Sequence, residues 1–321
     1  RDLHLSIRRQ RQMCIRDRHD IGHSPYSHAL ERLIIDADHE AIGKMIMLQF
    51  AKTMGSQLDL AYDMFTGKYH RPFFHQLISG QLDLDRLDYL SRDSFYTGVA
   101  EGVVGHDRIL RMLRVVDNKL VVEEKGLYSI EKFLVARRIM YWQVYLHKTA
   151  LAAELMAKAV IRLLREQDPT ERTGYLAPEL EFFLSKKVTI QDFRDNPVEL
   201  LAIFSDLDDI SVDYSIKRLQ DHFYTPLSFL TTNLFHRKLH KLRWSDEPLE
   251  DEMINDIRKK CQEKYDWSPE IADKMIWLGS ETKADYNRED DEIQILTKSE
   301  EIKPFSSFLE TPVRIAFNKK Y

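Results

Sequence analysis

The stretch HDIGHSPYSHALE, residues 19–31, decides how the rest of this chain is interpreted. It carries three histidines within ten residues, His19, His23 and His28, and the carboxylates of Asp20 and Glu31. Imidazole and carboxylate groups form a typical ligand set for a divalent metal that keeps open positions for water and substrate oxygens. The stretch therefore predicts a metal-assisted active site.

The spacing inside this stretch predicts which side chains meet. His23 follows His19 by four residues and would share its helix face. Glu31 follows His28 by three residues, close enough to hold its imidazole in one tautomer. A further His-Glu pair stands at residues 39–40. The alternative, a structural zinc site or an ordinary buried histidine cluster, is disfavoured because structural zinc sites prefer cysteine or closed histidine sets.

The acidic stretch DLDRLDYLSRDSFY, residues 83–96, lies far from the histidines along the chain. On a helix, one face would carry Asp85, Asp88 or Tyr89, Arg92 and Tyr96. Taken alone, this pattern is typical of a solvated helix with Asp88 and Arg92 as a simple ion pair. Together with the histidine stretch, it favours Asp85 as a distant metal ligand.

Residues 129–167 have the apolar periodicity of one long helix. One stripe of this predicted helix carries Arg137, Tyr141, Tyr145 and Lys148. The planar guanidinium of arginine suits phosphate oxygens, so the stripe could form a phosphate clamp with an aromatic floor. Equally, the aromatic side chains could pack in the core while the cations extend into solvent.

Bulk composition excludes several classes of protein. The 321 residues include 47 basic and 52 acidic side chains, and the net charge of −5 argues against a dedicated nucleic-acid binder. The longest apolar runs are too short to cross a bilayer. Only Cys14 and Cys261 are present, so we expect a reducing, cytoplasmic setting. The basic stretch 236–243 is interpreted as a solvated helix face, with nucleic acid, an effector nucleotide or a neighbouring subunit as alternative partners.

The low content of glycine (11) and proline (10) favours a mainly α fold with a small β-hairpin turning at Asp117-Asn118. We divide the sequence into a lead at 1–18, a helical core at 19–225 and a smaller C-terminal α+β appendage at 226–321. The lead is basic and has no signal-peptide pattern. It is similar to translated adaptor sequence, so we expect it to be non-native or disordered.

Three segments together resemble the HD-domain phosphohydrolases of the deoxynucleoside triphosphate triphosphohydrolase type. These are HDIGHSPYSHALE with the pair at 39–40, QLDLDRLDYLSRDSFYTGV at 81–99, and YLHK at 145–148. A weaker likeness extends over most of residues 19–321. The resemblance implies an HD-domain helical bundle, a divalent metal (Mg, Mn, Fe, Co or Zn), and hydrolysis of a dNTP to deoxynucleoside and triphosphate. It also implies a homo-oligomer.

The resemblance assigns roles by position. The implied metal ligands are His19, Asp20 and Asp85. The implied catalytic residues and their acidic supports are His23, His28, Glu31, His39 and Glu40. The implied substrate-binding residues are Arg86, Tyr89, Asp93, Arg137 and Tyr145, to which the predicted stripe adds Tyr141 and Lys148.

The sequence departs from the family pattern at two places. Leu146 stands where a family member carries a polar residue. The family also takes one more metal-binding histidine from an upstream segment, which the surroundings of His4 do not resemble. We therefore expect this chain to be impaired. The alternative functions are an HD-type nucleotide phosphomonoesterase or phosphodiesterase, and a nucleotide-binding module that has lost turnover.

Overall fold

The computed structural model describes residues 20–54, 57–280 and 292–308. The protein is mainly helical with one small sheet, which confirms the predicted fold class. No helix within the described ranges is both long and apolar enough to span a bilayer. The lead at 1–18 falls outside these ranges, as do His4 and His19.

Most of the described helices follow one another with short connections, whereas residues 236–250 form a long irregular connection. In the first half of the chain they are α1 (His39–Met54), α2 (Gln57–Phe65), α3 (Phe73–Gln76), α4 (Leu84–Thr97), α5 (His106–Met112) and α6 (Leu127–Met140). In the middle they are α7 (Lys148–Glu166), α8 (Pro169–Arg172), α9 (Pro178–Ser185), α10 (Ile190–Asp195), α11 (Pro197–Asp206) and α12 (Asp209–Arg218). The remaining described helices are α13 (Thr225–Phe235), α14 (Asp251–Tyr265) and α15 (Pro269–Lys274).

The sheet joins strands from distant parts of the chain. The predicted hairpin is confirmed as β1 (Leu113–Val116) and β2 (Lys119–Glu123), which pair antiparallel. Strand β3 (Gln294–Leu296) lies parallel to β2, and β4 (Ile302–Pro304) completes the order β1-β2-β3-β4. The C-terminal strands therefore extend the hairpin. The apolar residues at 275–278 form no strand, because Met275 is a turn residue after α15 and residues 276–280 have no regular secondary structure.

By its contacts the chain divides into two units. In the described ranges, the sheet unit comprises residues 20–22, 43–54, 57–147 and 292–308. The helical unit comprises residues 23–42 and 148–280. The domain boundary at about residue 225 stays a prediction.

Each unit has its own apolar core. In the sheet unit, Leu90 of α4, Phe133 of α6 and Ile295 of β3 are fully buried in one cluster. In the helical unit, the ring of Phe193 stacks on Phe183 and meets the edge of Phe204. Burying one such side chain contributes about 1.5–3 kcal/mol relative to leaving it exposed. These clusters fix the helices that carry the polar residues of interest.

The prediction of a single helix over 129–167 is wrong. Helix α6 ends at Met140, a π-helical turn spans Tyr141–Tyr145, and α7 begins at Lys148. Apolar residues continue on both sides of the turn, so the sequence pattern does not show the interruption. A π-helical turn inserts extra backbone and changes the register downstream, so the stripe that was predicted to reach Lys148 ends at the turn.

Candidate functional site

Three imidazoles of the helical unit lie together. The ring of His23 stacks on that of His39, with centroids 4.0 Å apart and an interplanar angle of 14°. The ring of His28 meets His23 edge-on at 4.7 Å. One nitrogen from each ring lies within 4.8 Å of the other two. Such a cluster can take part in proton transfer or donate nitrogens to a divalent metal.

Glu31 holds two of these imidazoles by their Nδ1 atoms. Its carboxylate oxygens lie 3.1 Å from His28 Nδ1 and 2.7 Å from His39 Nδ1. The His39 backbone N–H also donates to Glu31, at 3.1 Å. Burial acts to raise the pKa of Glu31, but the hydrogen bonds from His39 and His28 outweigh it and lower that pKa to about 2. The predicted contact between Glu31 and His28 is confirmed, and Glu31 supports His39 as well.

The backbone around the histidines is fixed by a tight turn and a buried anchor. Tyr26 and Ser27 both have left-handed conformations, with φ of 56° and 48°. The Tyr26 N–H donates to Asp209 of α12 at 2.8 Å, and its hydroxyl donates to Asp213. Leu30 is fully buried. The turn between His23 and His28 is thus fixed by the hydrogen bonds of Tyr26 and by the burial of Leu30.

The start of α4 arranges a second polar group, in the sheet unit. Asp83 is the N-cap of α4, and its carboxylate accepts the Arg86 N–H at 2.7 Å. The Arg86 guanidinium also donates to Asp83 and to the Gly80 carbonyl. Burial raises the pKa of Asp83, while the charge of Arg86 lowers it. Asp85 lies half-buried in the first turn of α4.

Aromatic and cationic side chains of α4, α6 and the π-helical turn surround this group. The Tyr145 hydroxyl donates to Asp93 at 2.5 Å, and the Tyr145 ring lies 5.2 Å from Tyr141 and 6.0 Å from Tyr89. Burial raises the pKa of Tyr89 to about 12, which keeps its hydroxyl protonated at neutral pH. Arg137 is buried nearby at 8% exposure. The structure therefore brings six predicted substrate-binding residues together, and we call this group the polar wall: Arg86, Tyr89, Asp93, Arg137, Tyr141 and Tyr145.

The remaining described site residues of the prediction lie outside both the imidazole cluster and the polar wall. Asp20 lies in a turn and is exposed, and Glu40 is exposed in the first turn of α1. Lys148 is exposed at the start of α7 and belongs to the helical unit rather than to the unit of Tyr145. Their functional roles stay predictions. Arg92 forms an exposed pair with Asp88 at 2.8 Å, so the simple ion-pair interpretation of those two residues is confirmed.

Comparisons with known proteins identify the family of this chain. Residues 104–177 match a family model described as an HD associated region. The crystal structure of a phosphohydrolase from Bacteroides thetaiotaomicron VPI-5482 superposes with a TM-score of 0.88 at 38% identity, covering 97% of this chain and 78% of that one. The chain belongs to the HD-domain phosphohydrolases. The prediction of an HD-domain phosphohydrolase is thereby confirmed.

Curated HD-domain relatives are more distant. The uncharacterised protein YwfO of Bacillus subtilis is 32% identical over 199 residues, which are 57% of this chain and 45% of that protein. A deoxynucleoside triphosphate triphosphohydrolase SAMHD1 homolog of Dictyostelium discoideum is 27% identical over 157 residues, 43% of this chain and 30% of that protein. The chain thus spans less than half the length of these two relatives.

Two residues of this HD-domain phosphohydrolase were missed by the sequence interpretation. Asp83 orders α4 and Arg86, and its position before LDR could have been recognised as an N-cap. Gln81 accepts a hydrogen bond from Arg137 at 3.2 Å, and nothing in the local sequence indicates it, because the two residues are 56 positions apart.

Proposed function

We propose that this protein is a metal-dependent phosphohydrolase of nucleotides that converts a dNTP to deoxynucleoside and triphosphate. The observation that carries the proposal is the imidazole cluster of His23, His28 and His39, in which Glu31 holds the Nδ1 atoms of His28 and His39. The polar wall around Arg137 supports it, because it combines cations for phosphate oxygens with aromatic rings for a sugar. The similarity to the Dictyostelium deoxynucleoside triphosphate triphosphohydrolase homolog supports the choice of a dNTP as substrate.

The residues present fit a divalent metal, which proteins of this family generally use. Asp20 and Asp85 offer carboxylates as predicted, together with His19. Within the helical unit itself, the imidazole cluster offers nitrogen donors within 4.8 Å of one another. When bound, such an ion supplies Lewis-acid polarisation of a phosphoryl oxygen and a lowered pKa for water.

His28 is suited to protonate the leaving group. With its Nδ1–H bonded to Glu31, the Nε2 nitrogen is the one left to carry the transferable proton. In the proposed reaction, water oxygen bonds to the α-phosphorus and releases a proton to bulk water, and the bond from phosphorus to the 5′-oxygen breaks. That oxygen takes the Nε2 proton of a doubly protonated His28, which regains a proton from bulk water for the next turnover. General acid catalysis of this kind contributes about 10²–10⁴-fold. His39, which Glu31 holds in the same way, and His23, which stacks on His39, are the alternative candidates for this role.

The polar wall is suited to bind the substrate. Arg137 and Arg86 provide guanidinium groups for the phosphate chain. Tyr145, fixed by its hydrogen bond to Asp93, and the rings of Tyr89 and Tyr141 provide a surface on which a deoxyribose can pack. A cytoplasmic setting, assembly into a homo-oligomer and an effector nucleotide belong to the same proposal.

Product analysis tests the proposal. The chain is incubated with each dNTP and with Mg, Mn, Fe, Co or Zn, and the products are separated by ion-exchange chromatography. We expect intact triphosphate and deoxynucleoside in equimolar amounts, lost on chelation and in a His28→Ala variant. Orthophosphate or nucleoside monophosphate in place of triphosphate would support the phosphomonoesterase or phosphodiesterase alternative. Binding of dNTP without any product would support the nucleotide-binding alternative.

A further inference from the structure

Arg137 carries a buried positive charge with a neutral partner. Its side chain is 8% exposed, and among the described residues its guanidinium donates from Nη1 to the amide oxygen of Gln81 at 3.2 Å. The buried Nε of Arg137 makes no hydrogen bond to any described group. Buried guanidinium groups are normally paired with a carboxylate, because an unpaired buried charge is costly.

The neighbouring arginine, Arg86, differs from Arg137 in that its partner is a carboxylate. Arg86 donates to the carboxylate of Asp83, which is itself 4% exposed. The carboxylate of Asp83 thus contacts Arg86, whereas it acts on Arg137 only through its charge. Burial and then the charge of Arg86 lower the pKa of Arg137, although a guanidinium stays protonated throughout. Within the described part of the chain, no carboxylate therefore pairs directly with the positive charge of Arg137.

The acidic residue that lines a cavity together with Gln81 is Glu292, and its carboxylate is engaged elsewhere. Gln81 borders a cavity of about 30 Å³ that is also lined by Glu292. The Glu292 carboxylate accepts the Ser306 N–H at 3.0 Å. The amide of Gln81 is thus the group that orients Arg137, and it does so without cancelling its charge.

We propose that Gln81 is a specificity-determining residue, whose uncharged amide positions Arg137 while leaving its charge available to a polyphosphate chain. This deepens the proposed function and rests on it. A glutamate at this position would have the same shape and would form a closed ion pair with Arg137. The wall would then favour ligands with fewer negative charges, such as a nucleoside or a nucleoside monophosphate, over a triphosphate.

The test compares matched variants on the full chain. Gln81→Glu adds a charge at constant shape, whereas Gln81→Met removes the hydrogen bond without adding a charge. The probe is inorganic triphosphate, with its dissociation constant measured by calorimetry beside the KM and kcat for a dNTP. Thermal unfolding of each variant checks that it is folded. If Gln81→Glu does not fold, the pair Gln81→Asp and Gln81→Asn gives the same comparison.

One lost charge-assisted contact corresponds to about a 10- to 100-fold change in affinity. We therefore expect Gln81→Glu to weaken triphosphate binding and raise KM by that factor with little change in kcat, and Gln81→Met to have a smaller effect. Equal losses in both variants, or wild-type affinity in Gln81→Glu, would overturn the inference. A chain that binds triphosphate in this Gln81-dependent way but hydrolyses no nucleotide would refute the proposed function and leave the inference standing.

Discussion

Replacing Glu31 by glutamine is the most informative single change to the imidazole cluster. The carboxylate of Glu31 accepts from Nδ1 of both His28 and His39. A glutamine has the same shape but only one amide oxygen, and its NH₂ group would face the Nδ1–H of the second ring. One imidazole must therefore lose its partner or change tautomer, and its ring is then no longer held with Nε2 in the orientation that the proposed reaction uses.

The size of the effect follows from these contacts. A hydrogen bond to a charged group contributes about 1.5–3 kcal/mol. At about 1.4 kcal/mol per factor of ten, losing one such bond from the reacting arrangement lowers kcat by about 10- to 100-fold. In the wild type, the pKa of Glu31 falls from its ordinary 4.5 to about 2. That difference corresponds to at most about 3 kcal/mol, reduced by the partial exposure of the side chain.

The lowered pKa of Glu31 defines how its contribution to the stability of the fold changes with pH. Because the folded-state pKa of Glu31 is lowered, its contribution to stability is complete above about pH 4.5 and is lost as the pH falls towards about 2. The Glu31→Gln variant should lack this part of the acid destabilisation. Urea unfolding at several pH values measures it, and ¹⁵N spectra of the histidine rings report the tautomers directly.

Glu154→Gln is the matched control. Glu154 pairs with Lys158 on α7 of the same unit and lies outside the proposed catalytic residues. We expect the kcat and the histidine ¹⁵N spectra of the Glu154→Gln variant to equal those of the wild type. Unchanged kcat together with unchanged histidine tautomers in Glu31→Gln would refute the argument that Glu31 positions the imidazoles.

Three further changes have defined outcomes. Asp83→Ala should destabilise the fold by about 2–3 kcal/mol in urea unfolding, because it removes the cap of α4 and the partner of Arg86; a change below 0.5 kcal/mol would contradict this. Tyr26→Phe should cost about 1 kcal/mol and lower kcat, because the link to Asp213 is lost while the ring stays; unchanged activity would show that the turn needs no such link. Gly102→Ala should lower the melting temperature, since a Cβ there would lie 2.8 Å from Ser94 Cβ, and a wild-type melting curve would show that the core relaxes freely.

Contacts between residues close in sequence were predictable. The three-residue spacing of His28 and Glu31 places them together, and Asp38 accepts the Ala41 N–H at 2.7 Å as expected of the N-cap of α1. The hairpin turn at Asp117-Asn118 was likewise visible, because asparagine and aspartate tolerate the positive φ that both residues adopt. Local backbone chemistry decides each of these features.

Contacts that depend on tertiary folding were not predictable. Glu31 reaches His39 only because the chain turns between them, and helical spacing gives no indication of this. Strand β3 pairs with β2 across about 170 residues of sequence, so its three residues read as an isolated strand. The π-helical turn at Tyr141–Tyr145 lies inside a continuous apolar pattern. In each case the decisive partner lies far away along the chain.

The most direct test of the central claim is hydrolysis of a dNTP by this chain in ¹⁸O-labelled water. The account predicts intact triphosphate that carries one ¹⁸O atom on the phosphorus that was the α-phosphorus, and a deoxynucleoside that carries none. The label can be located by mass spectrometry and by the ¹⁸O shift in the ³¹P spectrum. Label in the 5′-hydroxyl, or in orthophosphate released one unit at a time, would contradict attack on the α-phosphate.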